Sequence, residues 1–430
     1  MKRALIAIAA ILVLGLVGVT ILAWRSTIAP VAPPSVGQFA PELIARGEML
    51  ASAGYCSTCH TAKHGRPYAG GYPMATQFGT IYSTNITPDE KTGIGNWSEA
   101  AFGRAMREGV ARDGSHLFPA FPYDHFTRLS DADVSALYAY LMTRPPVSAP
   151  ARDNTVPFPL NIRALQAGWK LLFFHPGRFQ PQPARGAEWN RGAYLAEGLS
   201  HCGACHTPRN HLGAEQRSRA YVGASIDNWI APPLDRSNPS PVRWDAAELA
   251  AYLGTGVSQF HGTAVGPMAP VTQGLSRLPA SDVRAIATYI ADLNGSAGQQ
   301  MPAVAIVTKA LAHDHAGTGM TYNPAARLYT AACASCHYNG ADKANPLRPE
   351  LALTSAVNLD DPTNLIQVML HGVSARDGAP GVVMPAFTGF TDADVARIAA
   401  YLRATRTSKA PWPDLKGKVA AIRAQGAGQQ

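Results

Sequence analysis

The sequence has no cysteine to spare. All six fall within three copies of one pattern, Cys56-x-x-Cys59-His60, Cys202-x-x-Cys205-His206 and Cys333-x-x-Cys336-His337, so no disulfide framework is available. Charge is also scarce: Asp, Glu, Lys and Arg make up 15% of the chain. The formal net charge is +8, yet the basic residues are scattered and no basic run exceeds two. With no nucleic-acid motif present, solvated faces and an anionic membrane surface account for that excess. Strand-like alternation is weak, and no constellation of base and cation marks a substrate pocket.

What the chain does have is the attachment signature of c-type haem, three times over. Two thiols one helical turn apart can each form a thioether to a haem vinyl group, and the adjacent histidine supplies the fifth iron ligand. A thioredoxin-type redox pair would need a preceding strand, whereas Ala/Gly/Tyr-rich, helix-like segments precede these motifs. A zinc site would need four ligands gathered together, and the motifs lie far apart in the sequence. Three covalently bound haem c groups are therefore expected, held by Cys56, Cys59, Cys202, Cys205, Cys333 and Cys336, with His60, His206 and His337 on the irons.

Residues 4–24, from Ala4 to Trp24, form an unbroken apolar run after Lys2 and Arg3. A run of that length can cross a bilayer. A cleaved signal peptide is the competing reading, but the run ends in Ala-Trp-Arg and a Pro-rich stretch, without a small-x-small site. A retained inner-membrane anchor is expected, with Trp24 at the interface and the rest of the chain in the periplasm.

The motifs head three related segments. Helix-like lead-ins occupy Glu42–Tyr55, Glu188–His201 and Pro324–Ala332, and acidic-capped amphipathic helices close the segments from Asp131, Ser281 and Asp392. Between them, Trp97–Val110, Trp244–Val257 and Asp361–Val373 each read as a helix ending in Gly-Val. Small residues such as Gly47 and Gly192 would let the first and last helices cross closely. The architecture predicted is all-α, with three tandem c-type cytochrome domains behind one N-terminal transmembrane helix. The boundaries are 1–34 for the anchor and Pro-rich linker, 35–150 for domain one, 151–180 for a linker or strap, 181–297 for domain two, 298–318 for a linker, 319–408 for domain three and 409–430 for a tail. Two stretches invite more than one reading. The greasy strap Leu160–Phe174 could be buried against the haem domains, or could face a partner or the membrane. The tail could be a short amphipathic helix on the membrane or a partly disordered end.

Counting twelve residues from the Gly of each Gly-Val reaches Met268 in the second segment and Met384 in the third. A loop-borne thioether is a common sixth ligand to haem iron, and the equal offsets favour that role over core filling. The first segment breaks the pattern. Its corresponding residue is Phe121, or Phe118 if the shared Pro-Ala-Phe sets the register. His125 is the candidate sixth ligand there, with an ordinary surface histidine as the alternative; His116, Met74 and Met106 also lie in the segment. Bis-histidine ligation would lower the potential of that haem relative to Met/His ligation.

Three stretches carry a family resemblance: Gly79-Thr-Ile-Tyr-Ser-Thr-Asn-Ile-Thr-Pro-Asp89, Arg112-Asp-Gly-Ser-His116 with Phe118-Pro-Ala-Phe-Pro-Tyr123, and Glu188-Trp-Asn-Arg-Gly-Ala-Tyr194 with His201-Cys-Gly-Ala-Cys-His-Thr-Pro208. Over about residues 36–407 the chain resembles the three-haem cytochrome c subunits of membrane-bound bacterial dehydrogenases. These include quinoprotein alcohol, flavin-dependent sugar or gluconate, and molybdenum hydroxylase systems. The resemblance implies an electron-transfer subunit that accepts electrons from a catalytic dehydrogenase subunit and passes them to ubiquinone in the inner membrane. The alcohol-oxidising branch typically has Met where this chain has Phe121, which points towards the molybdenum-hydroxylase branch. A peroxidase using an open first haem and a cytochrome subunit of a terminal oxidase are the alternatives.

Overall fold

A computed structural model describes residues 23–298, 303–317, 323–337, 348–374 and 383–427, together with residues 2, 3, 15 and 18. Helices dominate, but among the described residues the all-α expectation is modified by three two-stranded antiparallel hairpins. Their strands are two to four residues long, too short for an alternating pattern to register in the sequence. The chain divides into two compact units. The first comprises Met1–Gln182 with Tyr194–His201 and Asn210–Ala214; the second comprises Pro183–Ala193, Cys202–Arg209 and Glu215–Gln430.

In the first unit, α1 (Pro41–Ala53) opens with a proline in its first turn, where a missing N–H costs nothing. A hairpin follows, β1 (Pro73–Thr76) and β2 (Gly79–Tyr82), with Pro73 opposite Tyr82. Helices α2 (Glu99–Glu108) and α3 (Asp131–Met142) start at Ser98 and Ser130, whose side chains accept from Ala101 N and Asp133 N; this is ordinary N-capping. The crossing of α1 on α3 is so close that a Cβ on Gly47 would overlap the Ala136 carbonyl oxygen. Arg46 locks it with two hydrogen bonds, 2.9 and 2.6 Å, to Asp133 Oδ1. Val134, Leu137, Tyr138 and Leu141 of α3 are buried and form the core of the unit. The strap forms α4 (Gln166–Phe173).

In the second unit, α5 (Ala187–Tyr194) leads into a π-helical turn, Leu195–Leu199, whose residues belong to the first unit. The turn has a clear cause. Gly47 stands nine residues before Cys56 but Gly192 stands ten before Cys202, and a π turn absorbs one extra residue. Hairpin β3 (Ala224–Ile226) and β4 (Trp229–Ala231) precedes α6 (Ala246–Thr255), which Asp245 caps. Strands β5 (Val257–Ser258) and β6 (Gly262–Thr263), then α7 (Met268–Leu275) and α8 (Ala280–Leu293), complete the segment. The crossing recurs: a Cβ on Gly192 would overlap the Ala285 carbonyl oxygen, and Arg191 grips Asp282 at 2.9 and 2.6 Å.

The rest of this unit departs from expectation in two places. Residues 298–318, expected as a linker, include helix α9 (Ala303–Gly317), whose Val307 and Ala310 pack with Val242 and Leu353. The segment around the third motif contains α10 (Pro324–Ala332), α11 (Thr363–His371) and α12 (Asp392–Arg406). Beyond it the expected tail forms α13 (Leu415–Ala427) and joins the core through buried Trp412, Val419 and Ile422. Lys418 pairs with Asp361 at 3.0 Å and Arg423 with Asp392 at 2.8 Å.

No helix among the described residues is long and apolar enough to cross a membrane. Most of the apolar run 4–24 lies outside the described residues.

Candidate functional site

Each Cys-x-x-Cys-His closes a single helical turn. The histidine N–H donates to the carbonyl of the first cysteine at 2.9 Å in the first motif, 3.0 Å in the second and 2.9 Å in the third. Tyr55 and His201, the residues before the first two motifs, have φ of 37° and 33°. These left-handed residues end the lead-in, so the motif turn leaves at a new angle.

The histidine side chains are held alike. Nδ1 of His60 lies 2.7 Å from the Thr84 carbonyl, that of His206 2.7 Å from the Pro232 carbonyl, and that of His337 3.2 Å from the Pro349 carbonyl. A carbonyl can only accept, so Nδ1 carries the proton and Nε2 keeps its lone pair for a metal. Burial lowers the pKa of His60 and His206, against the raising influence of those carbonyls, so both rings are neutral, the ligating form. Burial, helped by the neighbouring cysteine, pushes the Cys56 thiol up to about 12 and the Cys333 thiol up to about 11. This donor set fits haem c: paired thiols on one turn for the vinyl groups and an oriented imidazole for the iron.

The supporting frame was not visible as a motif. Gly70 N–H donates to the His60 carbonyl at 2.8 Å, and Gly223 N–H to the His206 carbonyl at 2.9 Å. Both glycines have positive φ. A Cβ on Gly70 would collide with the Thr84 carbonyl, and one on Gly223 with the peptides flanking Pro232. Thus each glycine touches both the backbone of the motif histidine and the segment that holds its ring. The Gly79–Asp89 stretch gains a physical role as well. Asn85 Nδ2 donates to Thr92 Oγ1 at 3.0 Å and to the Val147 carbonyl at 2.7 Å, while its Oδ1 accepts from Thr87 N at 2.9 Å. That network fixes the loop carrying Thr84.

The sixth-ligand candidates fall in different local settings. Met384 pairs directly with Val373, both backbone bonds being 2.9 Å. In the second segment Val257 pairs with Thr263, and Met268 comes five residues later at the start of α7. Equal spacing from the Gly therefore conceals two different loop paths. In the first segment Val110 pairs with His116, so Phe121 is the counterpart of Met268. His116 has both ring nitrogens engaged, by the Ala23 carbonyl at 2.9 Å and Lys170 Nζ at 3.0 Å. His125 is buried, which sets aside the surface-histidine reading; its Nδ1 lies 2.8 Å from the Glu197 carbonyl and its ring centroid 6.2 Å from that of His201.

Residues 44–145 match the family model described as Cytochrome c, and residues 321–402 match the one described as Cytochrome C oxidase, cbb3-type, subunit III. The protein is thus a c-type cytochrome, a class that holds haem covalently. It is 47% identical over 409 residues to a subunit of the nicotinate dehydrogenase of Pseudomonas putida, covering 94% of this chain and 34% of that protein. It therefore spans about a third of that relative's length. It is 37% identical to the fructose dehydrogenase cytochrome subunit of Gluconobacter japonicus, covering 87% of this chain and 81% of that one. The gluconate 2-dehydrogenase cytochrome c subunit of Pantoea cypripedii is 39% identical, with coverage of 84% and 85%. The chain belongs to the family of cytochrome c subunits of bacterial dehydrogenases, and its role is electron transfer.

Proposed function

We propose that the chain carries three haem c groups, one at each Cys-x-x-Cys-His, and relays electrons from a catalytic dehydrogenase subunit to ubiquinone at the periplasmic face of the inner membrane. Haem iron supplies one-electron chemistry when bound. This chain's residues would supply the attachment and the donors to iron. Cys56 and Cys59, Cys202 and Cys205, and Cys333 and Cys336 anchor the three groups. His60, His206 and His337 would each supply an imidazole nitrogen to one iron. Met268 and Met384 would supply a further donor in the second and third sites, and His125 would in the first. The observation that carries this reading is the threefold repetition of an imidazole held at Nδ1 by a backbone carbonyl.

The apolar run 4–24 is the membrane anchor in this proposal. The partner is a catalytic subunit of molybdenum, quinoprotein or flavin type. Phe121 leans the choice towards molybdenum hydroxylases, in keeping with a relative named for nicotinate, an N-heterocycle. Against the terminal-oxidase reading, the oxidase-type match is confined to 321–402, whereas the dehydrogenase relatives match along most of the chain. The test mixes oxidised holo-protein with its catalytic subunit, substrate and a ubiquinone analogue. Reduction of the haem bands followed by quinone reduction is expected. Equal quinone reduction by the catalytic subunit alone would contradict the proposal.

A further inference from the structure

Helix α4 is inside out for a helix that faces water. Lys170 is 8% exposed, whereas the adjoining Leu171 and Leu172 are 70% and 63% exposed. The lysine has a reason to point inward. Its Nζ donates to the Glu108 and Gly109 carbonyls at 2.6 and 2.8 Å and to His116 Nδ1 at 3.0 Å. Those carbonyls end α2, where a cation is favoured. The leucines have no such reason to stay outside. Nor are they isolated, because Phe158, Leu160, Ile162 and Leu165 upstream are exposed too. Single exposed leucines are ordinary; six large apolar residues exposed within one short segment mark an interaction surface.

The location of the segment identifies what covers it. The same His116 that bonds Lys170 also donates from Nε2 to the Ala23 carbonyl at 2.9 Å. Arg104 Nη1 donates to the Ser26 carbonyl at 2.6 Å, and Arg163 Nη1, within the strap, donates to the His116 carbonyl at 3.2 Å. The end of the apolar run 4–24 is therefore fixed one imidazole ring away from α4, and Trp24 is itself exposed. A bilayer that receives residues 4–24 would therefore begin close to α4 and its exposed leucines.

We infer that residues 158–172 lie on the lipid bilayer as an interfacial element beside the N-terminal anchor, with Phe158, Leu171 and Leu172 in the acyl boundary. This rests on the run 4–24 being that anchor. Interfacial elements of this kind combine an apolar face with a polar one held by the protein body.

Lipid photolabelling tests it directly. The full holo-protein is reconstituted into phosphatidylcholine/phosphatidylglycerol vesicles doped with diazirine-tailed phosphatidylcholine, irradiated and mapped by peptide mass spectrometry. Label is expected within 158–174 as well as within 4–24. Replacing both leucines by acid (Leu171→Glu with Leu172→Glu) is expected to cut strap labelling about tenfold or more. Label in 4–24 but not in 158–174 overturns the inference and leaves the anchor standing. Label in neither removes both. A strap that escapes lipid but becomes protected from hydrogen exchange on adding the catalytic subunit also overturns it, because the segment would then be a protein interface.

Discussion

Tyr55 Oη lies 3.0 Å from His201 Nδ1, and each of these residues stands immediately before a Cys-x-x-Cys-His. Their ring centroids are 4.7 Å apart. Tyr55→Phe keeps the ring and removes the hydrogen bond, so a stability loss of about 1 kcal/mol is expected in urea denaturation of the holo-protein. An unchanged midpoint would mean that the bond contributes nothing beyond ring packing.

Asp133 is the hub of the α1–α3 crossing. It accepts from Arg46 and from Tyr194 Oη, and its side chain is almost fully buried. Asp133→Ala removes the shared acceptor, but Arg46 is about half exposed and Tyr194 Oη keeps Ser130 as a neighbour, so a loss of about 1–3 kcal/mol is expected. Asp282→Ala, at the more exposed counterpart, is expected to cost less. Thermal or chemical unfolding of the two variants checks the order.

Gly70→Ala and Gly223→Ala push on the segments that hold the imidazoles of His60 and His206. Weakening the bond from Nδ1–H to the carbonyl makes the ring a poorer donor to iron, which destabilises the oxidised state. One haem potential in each variant is expected to rise, by roughly 50 mV. Redox titration followed in the visible α-band reads this. Potentials that do not move would show that the carbonyl contact leaves the axial ring unaffected.

Burial, with Arg25 nearby, lowers the Lys170 pKa to about 7. Between that value and the usual lysine value of about 10.4, the unfolded chain binds a proton that the folded protein does not. Stability from this group therefore rises with pH across that window, and the cost of burying the charge is fully present below it. Wild-type denaturation midpoints are expected to climb from pH 7 to 10 more steeply than those of Lys170→Met. Parallel slopes would mean that the lysine stays charged throughout.

Much of the frame was legible because it is local. The Cys-x-x-Cys-His turns, the acidic caps and the helices ending in Gly-Val all depend on neighbours within a turn or two, and Gly47 and Gly192 stood out as small residues in lead-in helices. What escaped depends on distant backbone. The carbonyls of Thr84, Pro232 and Pro349 are carried by residues whose identity does not announce an acceptor. Gly70 and Gly223 show their purpose only once the loops fold over the motifs. Helix α9 lies where Pro and Gly at the flanks suggest a linker, whereas a helix in the tail is among the readings the sequence offers and only the core partners of α13 are not. Val307, Val419 and Ile422 find their partners far along the chain.

The central claim is that iron porphyrin is covalently bound at three places in this chain. Intact mass of the denatured holo-protein, paired with pyridine haemochrome quantitation per polypeptide, tests it most directly. Three haem equivalents are expected, falling to two when either Cys56→Ser with Cys59→Ser, the pair at Cys202 and Cys205, or the pair at Cys333 and Cys336 is replaced. Two or fewer equivalents on the unaltered chain, or haem that leaves on denaturation, would contradict the account.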